Sequence, residues 1–451
     1  MLKVIRILAL VLVAASPALS QSDQQSVPIT LSDAVQLGLQ QNLSVLQAEN
    51  SINAAKSTVL AAYGDYLPSV SFSGGWSRQQ TDRAASTQII GGQPFNLPAS
   101  FSVDNSFSTS LSVGYTLFDG FSREATLGRA TSYRDATIEQ ANRTKQSIVY
   151  LVESSYLNIL RTEQLVRVSE ENLKRDQRQL DRIVESNKLG ALSVADVYRQ
   201  QSQVASDEVG LITAQNNFDK AKADLASLIG LDMSKEYEFV DRSIMTDLSK
   251  EELDATMQKY SNYEGLWKRA LAARPDYLSA KDSYNAASSG VVSARRGYFP
   301  SIVAYGRYSM ANESFKTLSE NKTTSWGLSL SWTIFDGFLT NQQIQTAVAS
   351  ERNAELSMAQ TERNIAVDVK KALLDLEAAR KQYDAAQKGL VSATQDRKTA
   401  EERYNVGSGT LLDLLVANAG YVNAEANTIN ASYNFIISRR NVEYSLGERS
   451  Y

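Results

Sequence analysis

The chain carries no histidine and no cysteine among its 451 residues. That removes imidazole acid–base catalysis, thiol nucleophiles, disulfides and Cys/His metal centres together. Carboxylates, Lys and Tyr remain, and no G-x-x-x-x-G-K-[S/T] phosphate loop accompanies them. The distinctive groups are polar residues set beside glycine: Asp119-Gly120, Asp336-Gly337, Gly190 with Ser193, and Gly407 with Thr410. Glycine takes backbone angles that other residues avoid, and an Asp, Ser or Thr oxygen accepts the free N–H groups at a helix start. This is the chemistry of turns and caps, so the reading is a protein with no catalytic residues, no cofactor and no metal.

Bulk composition narrows the class further. The 46 basic and 50 acidic residues leave a formal net charge of -4, without the basic stripe that nucleic acid requires. At the N-terminus, Lys3 and Arg6 precede a short apolar run from Ile7 to Ala15, and Ala18 and Ser20 supply small residues for cleavage before Gln21. Residues 1–20 therefore read as a secretory signal peptide. With no cysteine after that site, an N-terminal lipid anchor has no attachment point. No later stretch approaches the roughly 20 apolar residues of a membrane-spanning helix, so any membrane insertion falls to strands.

The positions that carry turn chemistry recur at a fixed distance. Asp119-Gly120 maps onto Asp336-Gly337, Gly190 onto Gly407, Asp196 onto Asp413 and Gly230 onto Gly447, all at an offset of 217. Upstream the offset is 232: "YLPSV" (Tyr66–Val70) matches "YFPSI" (Tyr298–Ile302), and Leu37–Ala48 matches Arg269–Ala280. The 15-residue difference falls in Arg78–Ser100, a Gly-, Pro- and polar-rich stretch expected to be an exposed loop. The chain is a tandem duplication, with a first repeat over 21–230, a linker or belt over 231–262, and a second repeat over 263–451.

Each repeat must position its turns with long elements. The seven prolines stand at 17, 28, 68, 94, 98, 275 and 300, leaving 101–274 and everything after 300 free of the residue that breaks helices. A helix over 121–188 would run for roughly 100 Å. Val152, Ile159, Val166, Leu173 and Leu180 recur every seven residues in it, and Val369, Leu376, Tyr383 and Leu390 repeat the stripe in the second copy. A seven-residue period implies left-handed coiled-coil packing. Turns at Leu189–Ser193 and Val406–Thr410 return the chain into second helices, so that hairpins span 121–229 and 338–447. Shorter helices over Ser32–Gly64 and Tyr263–Arg296 lead into strand pairs at about 66–118 and 298–335. Stacked end to end with the returning helices, they equal a long helix in length. Within the belt, Glu236–Asp241 is a candidate short strand, and any longer C-terminal belt element is missing after Gly447.

The strands alternate with period two. Phe107, Leu111, Val113, Tyr115 and Leu117 share one face of Ser106–Phe118, opposite Ser106, Ser108, Ser110, Ser112, Gly114 and Thr116. Trp326, Leu328, Leu330, Trp332 and Ile334 repeat this in Ser325–Phe335, opposite Ser325, Gly327, Ser329, Ser331 and Thr333. Pro68–Ser77 and Pro300–Ser309 alternate too, although Arg307 shares a face with Val303 and Tyr305. Two architectures fit: a water-soluble sandwich with the apolar face inside, or a transmembrane β-barrel with that face in lipid. The polar face favours the barrel, because it holds Ser, Thr and Gly where a solvated face would hold Lys and Glu. Four strands cannot close a barrel alone, and open sheet edges are not tolerated in lipid, so several chains would share one. The two Asp-Gly phrases then mark the seams where a membrane strand becomes a helix.

These landmarks together resemble the TolC-like outer membrane efflux family across essentially the whole mature chain. They comprise Leu31–Ala48, the two helix-to-strand junctions, the two seams, the hairpin turns Leu189–Val197 and Arg403–Ala417, and the closing Tyr433–Gly447. The resemblance implies an α+β membrane protein. Its trimeric 12-stranded transmembrane β-barrel takes four strands from each protomer and continues into a 12-helix periplasmic coiled-coil tunnel. It implies a homotrimer in the outer membrane of a Gram-negative bacterium, extending into the periplasm. A periplasmic adaptor protein and an inner-membrane transporter of RND, MFS or ABC type would load this passive exit duct. Drug or small-molecule efflux is the first reading of its cargo, with type I protein secretion the alternative. A soluble periplasmic coiled-coil scaffold is the remote alternative.

By position, the resemblance also implies an adaptor-contacting tip and a gate. The tip comprises Gly190, Leu192, Ser193, Val194, Asp196 and Val197, with Gly407, Thr410, Leu411, Asp413 and Leu414. Asp196, Tyr404 and Asp413 fall where the family closes its periplasmic entrance, although capping or a solvated helical face is an equally available role for the Ser, Thr and Asp residues. Gly409 stands where an Arg is expected and Val416 where a second Asp is, which implies a gate that is weaker or wired differently.

Overall fold

The structure, a computed structural model, describes residues 27–240 and 248–448. The signal-peptide segment lies outside the described residues, as does Asp241 of the candidate belt strand. In the first repeat, β1 (Val27–Ile29), α1 (Leu31–Gln41) and α2 (Leu43–Gly64) lead into β2 (Ser69–Arg83), β3 (Ser86–Ile90), β4 (Gln93–Leu97) and β5 (Ser100–Phe118). The long α3 (Ser122–Lys188) and α4 (Val194–Leu228) complete it. Then come β6 (Tyr237–Phe239) and α5 (Lys250–Lys259). The second repeat holds α6 (Tyr263–Ala273), α7 (Pro275–Ala294), β7 (Ser301–Asn312), β8 (Lys322–Ser331), α8 (Leu339–Asn405) and α9 (Leu411–Ser445). The paired long helices have equal lengths, 67 residues for α3 and α8 and 35 for α4 and α9.

The four main strands form one antiparallel sheet in the order β2-β5-β7-β8. Its two outer strands, β2 and β8, leave their far edges unpaired among the described residues. Ser73 Oγ and Ser110 Oγ meet at 2.9 Å on the small-residue face, and Arg307 Nη2 donates to Ser110 Oγ at 3.3 Å. Tyr305 shares that face opposite Gly114 and Gly327, and its ring lies over Gly327, where a Cβ would stand 3.0 Å from the hydroxyl.

Three expectations are corrected here. The stretch Arg78–Ser100 is mainly strand, because β2 and β5 keep pairing as far as Arg83↔Ser100 and β3–β4 add a smaller hairpin beyond them. Gly91 and Gly92 close that hairpin, both with positive φ (+61° and +86°), as a two-residue turn matching strand twist requires. Trp332 and Ile334 lie past the end of β8, whose pairing with β7 stops at Ser301↔Ser331, so they belong to the seam rather than the strand. The shorter helix of each repeat is broken in two, at Asn42 and at Arg274, which are equivalent at the 232 offset.

Those two breaks are joints to the returning helices. Asn42 Nδ2 donates to the Leu228 carbonyl at the end of α4 (2.9 Å), and Arg274 Nη1 donates to the Ser445 carbonyl at the end of α9 (3.4 Å). Leu228 and Ser445 are themselves equivalent at 217, so one contact has been written twice with different side chains. Around the joints sit the two main cores. Val45, Val152, Tyr156, Ile159, Leu225 and Phe239 occupy one, and Leu266, Ile365, Val369, Leu376, Phe435 and Leu446 the other. The belt packs on them through β6, which pairs in parallel with β1 and buries Phe239, and through Leu253 of α5.

At the seams, Gly120 and Phe121 (φ +69° and +66°) and Gly337 and Phe338 (φ +65° and +69°) take successive left-handed conformations. Two such residues swing the chain from strand into helix, and the strain on each Phe is tolerated in both copies. Asp119 Oδ1 accepts the Ser122 N–H at 3.1 Å, and Asp336 Oδ2 accepts the Thr340 N–H at 2.7 Å. On the apolar face, Leu111, Val113, Tyr115, Leu117, Trp326, Leu328 and Leu330 are exposed in the single chain, and Trp326 is 84% so. Phe107 is half-covered by Trp76 and Phe315.

The expected heptad stripe of α3 is buried at Val152, Ile159 and Val166 but only half-buried at Leu173 and Leu180. Further along, the polar Asn172, Asp176 and Gln179 are buried together with Val168 and Ile183. A single heptad stripe suits one packing partner, whereas α3 packs against α4 on one side and α9 on another.

Candidate functional site at the hairpin tips

The two hairpin turns end their first helix in the same way. At the end of α3 the Gly190 N–H reaches the Asn187 carbonyl (2.8 Å) and the Ala191 N–H the Ser186 carbonyl (2.9 Å). At the end of α8 the Gly407 N–H reaches Tyr404 (3.0 Å) and the Ser408 N–H reaches Arg403 (2.9 Å). This paired pattern ends a helix on a residue in the left-handed region, and Gly190 and Gly407 each stand at φ +76°. Asn187 Nδ2 then pins the first turn by donating to the Leu192 carbonyl at 2.7 Å.

Restarting the chain falls to the polar residues. Ser193 Oγ accepts the Asp196 N–H (3.2 Å) and donates to Asp196 Oδ2 (2.8 Å), while Arg199 donates to Asp196 Oδ1 (3.0 Å). Thr410 and Asp413 form a full capping box, with Thr410 N–H to Asp413 Oδ2 at 3.0 Å and Asp413 N–H to Thr410 Oγ1 at 3.2 Å. The Thr410 backbone and hydroxyl bonds hold the Asp413 carboxyl below its usual range, so it stays ionised. Capping is thus a role that all four residues fill.

Tyr404 lies between the two tips. It borders a cavity of about 430 Å³ shared by Gln179, Arg182 and Ile183 of α3, Leu192 of the first turn, and Gly407 and Gly409 of the second. Burial raises the Tyr404 phenol pKa, and the Asp196 carboxylate raises it further, so the hydroxyl stays neutral. Gln179 and Arg182 act on it in the opposite direction. The Asp196 carboxylate therefore acts on Tyr404 across two hairpins while bonded to Ser193 and Arg199, whereas Asp413 is turned toward Thr410 and Arg403. Gly409 is packed against Arg403, and a Cβ there would stand 3.1 Å from the Arg403 Cβ. Cationic charge beside Tyr404 comes instead from Arg182, which sequence comparison between repeats did not single out.

The expected tip contacts divide by exposure. Ser193, Val194, Gly190, Gly407 and Thr410 are exposed and Leu192 and Val197 half-buried, but Leu411 and Leu414 are only 5% and 4% exposed. Leu411 and Leu414 pack inward as the first apolar pair of α9, so neither offers a docking surface. The apolar groups that do face outward are Leu189, Val194, Tyr198, Val406, Leu412 and Val416. Apolar residues flanking a glycine turn were the available signal. Among the described residues no cluster of three acidic, His or Cys groups is suited to a metal, and no helix is long and apolar enough to cross a membrane.

An alternating sheet with open edges, prolonged by two long antiparallel helical hairpins with matched tips, defines a membrane channel subunit. The comparisons with known proteins agree. The family profile described as outer membrane efflux protein matches residues 34–231 and 266–448, and the chain belongs to that family. It is 23% identical over 360 residues to the outer membrane protein TolC of Escherichia coli K12, covering 76% of this chain and 70% of that one. It is 25% identical over 429 residues to the probable efflux pump outer membrane protein TtgC of Pseudomonas putida KT2440, covering 92% and 82%. Among solved structures, CusC superposes with a TM-score of 0.76 at 18% identity, covering 94% of this chain and 93% of that one. The protein is an outer-membrane efflux or secretion channel component, and the relatives it matches are channels rather than enzymes.

Proposed function

We propose that three copies of the chain form one passive duct, with a 12-stranded barrel in the outer membrane and a 12-helix tunnel below it. The observation that carries this is the four-stranded sheet β2-β5-β7-β8, apolar on one face, small and polar on the other, and open at both edges. In lipid each edge must find a partner, and β8 of one copy against β2 of the next supplies it. The helices count the same way. Within one chain α3 and α8 are two columns, and the Asn42–Leu228 and Arg274–Ser445 joints turn the shorter helices into two more. Three copies then contribute twelve columns.

Family membership supports loading of the duct by an inner-membrane transporter through a periplasmic adaptor. The exposed rim of Leu189, Val194, Tyr198, Val406, Leu412 and Val416 around the glycine turns is the docking surface for the adaptor's own helical hairpin. Tyr404, Asp196 and Arg182 hold the entrance closed by linking the two hairpins. The cargo is small molecules such as drugs, in keeping with the efflux-pump relative. The test uses the chain's freedom from cysteine. Cysteine pairs scanned along β2 and β8 are expected to cross-link detergent-extracted protein into species of two and three chains, and the purified protein to conduct ions across a planar bilayer. A monomer that does neither refutes the reading.

A further inference from the structure

The first hairpin buries polar groups that its repeat partner lacks. On α3, Asp176 is 1% exposed, and Gln200 of α4 opposite it is fully buried. Gln200 Nε2 donates to the Asp176 backbone carbonyl at 3.1 Å, and Gln203 Nε2 donates to Asp207 Oδ1 at 2.9 Å. This leaves Asp176 Oδ1, Asp207 Oδ2 and Gln200 Oε1 sealed from solvent with no hydrogen-bond donor. Each carboxyl thus carries one sealed oxygen without a donor, and the Asp207 carboxyl acts on that of Asp176 as a hydrogen-bond partner. At the 217 offset, the residues equivalent to Asp176, Gln200 and Asp207 are Ala393, Ala417 and Ala424. The second hairpin packs alanine at all three positions, so the architecture does not need polar atoms there in order to fold.

A buried acceptor without a donor is costly, and a sealed carboxylate oxygen of the buried Asp176 facing one of the half-buried Asp207 disfavours ionising both groups. We propose that Asp176 and Asp207 share one proton, a single O–H···O bond between Asp176 Oδ1 and Asp207 Oδ2, and that this proton clasps α3 to α4. The bond satisfies both orphaned oxygens at once. Its release to solvent leaves two like charges in a seam closed on the Asp176 side and loosens the hairpin 14 residues (176 to 190) above the turn at Gly190.

Burial first and the Asp207 carboxyl second push the Asp176 carboxyl up to about 7. The protonated pair is the favoured folded form. Its stabilisation is therefore complete below the ordinary carboxylate range and is lost as pH rises through about 7. The charged groups acting on Asp176 are Asp207 from α4 and Arg175 from its own helix, and Arg175 opposes the shift. From the second hairpin, Tyr421 of α9 lies 5.7 Å under the Arg175 guanidinium and 3.7 Å from that of Arg397 on α8, with Glu425 beside it. The clasp thus adjoins a cation–π stack that joins the two hairpins.

The test is hydrogen exchange of the full-length, detergent-purified protein across neutral pH, corrected for intrinsic rates. It reads packing, so its outcome is independent of the proposed channel assembly. In the wild type, the α3 and α4 amides around Asp176 and Asp207 are expected to lose about tenfold protection as pH rises through the transition, while α8 and α9 around Ala393 and Ala424 do not change. Asp176→Asn replaces the shared proton with a permanent N–H donor and is expected to abolish the transition while keeping the protection. The double variant Asp176→Ala/Asp207→Ala copies the second hairpin and is expected to be pH-independent as well. A wild-type profile without a transition, or an Asp176→Asn profile that retains it, overturns the proposal. A protection that appears only with added calcium or magnesium and vanishes with a chelator also overturns it, in favour of a bound cation.

Discussion

Arg274→Ala is expected to be the most damaging single change at the joints between stacked helices. Arg274 is 3% exposed and donates through Nε and Nη2 to Asp276 (3.0 and 2.5 Å), and through Nη1 to Asp368 (3.1 Å) and the Ser445 carbonyl (3.4 Å). Removing one partner of a buried pair typically costs 3–5 kcal/mol, but Asp276 and Asp368 are 24% and 48% exposed and partly recover water. Arg143, 3.9 Å from Asp276, also remains. The expected loss is therefore about 3 kcal/mol. Asn42→Ala at the equivalent joint removes a helix cap to the Ser44 N–H and one bond to Leu228, worth about 1.5 kcal/mol together. The difference of about 1.5 kcal/mol corresponds to roughly tenfold in a local opening constant. Hydrogen exchange in α6–α7 of Arg274→Ala, set against α1–α2 of Asn42→Ala, reads it directly. The acid side gives a second check. Burial raises the Asp276 pKa, the Arg274 bonds outweigh it, and the net value is lowered. The stability Asp276 contributes is hence present above the usual carboxylate range and lost as pH falls through its lowered folded value. In Arg274→Ala that acid transition moves upward. Equal costs at the two joints, or an unmoved acid transition, would refute the assignment of Arg274 as the stronger joint.

Other substitutions address the tips. Tyr404→Phe and Arg182→Ala are each expected to raise basal conductance in planar bilayers, by the loss of about 1 kcal/mol of closing interaction; conductance below wild type would argue against a gate there. Gly190→Ala and Gly407→Ala meet no neighbouring atom, so their cost is the left-handed backbone alone, about 1 kcal/mol each, measured as faster amide exchange confined to the mutated turn. Leu412→Asp with Val416→Asp removes exposed apolar surface from the tip and is expected to abolish cross-linking to the cognate adaptor while leaving the thermal melting of the protein unchanged. Leu414→Asp, by contrast, places a charge at a position 4% exposed and is expected to destabilise the second hairpin by several kcal/mol before any docking is tested.

Much of the molecule is written in local pattern. The repeat offsets, the proline-free spans, the two hairpin turns and the strand-to-helix seams all depend on periodicity or on turn residues, which act over a few positions. Elements ended where short-range chemistry ends them, at Gly190 and Gly407 and at the Asp-Gly seams. Even the two joints carried a local trace, since Asn42 and Arg274-Pro275 are poor helix interiors.

Tertiary placement decided the rest. A heptad stripe shows that a helix packs, but not which of two neighbours it meets, so Leu411 and Leu414 turned inward while Leu412 and Val416 turned out. Alternation gives a strand its faces, but its length is set by the partner's last free peptide, which left Trp332 and Ile334 outside β8. The meeting of Tyr404 with Asp196 and Arg182, and of Asp176 with Asp207, joins residues on different helices. Proximity of this kind comes from how long helices are laid against one another. The sequence alone determined which elements exist and where they turn, and only the packed chain decided which side chains face each other across them.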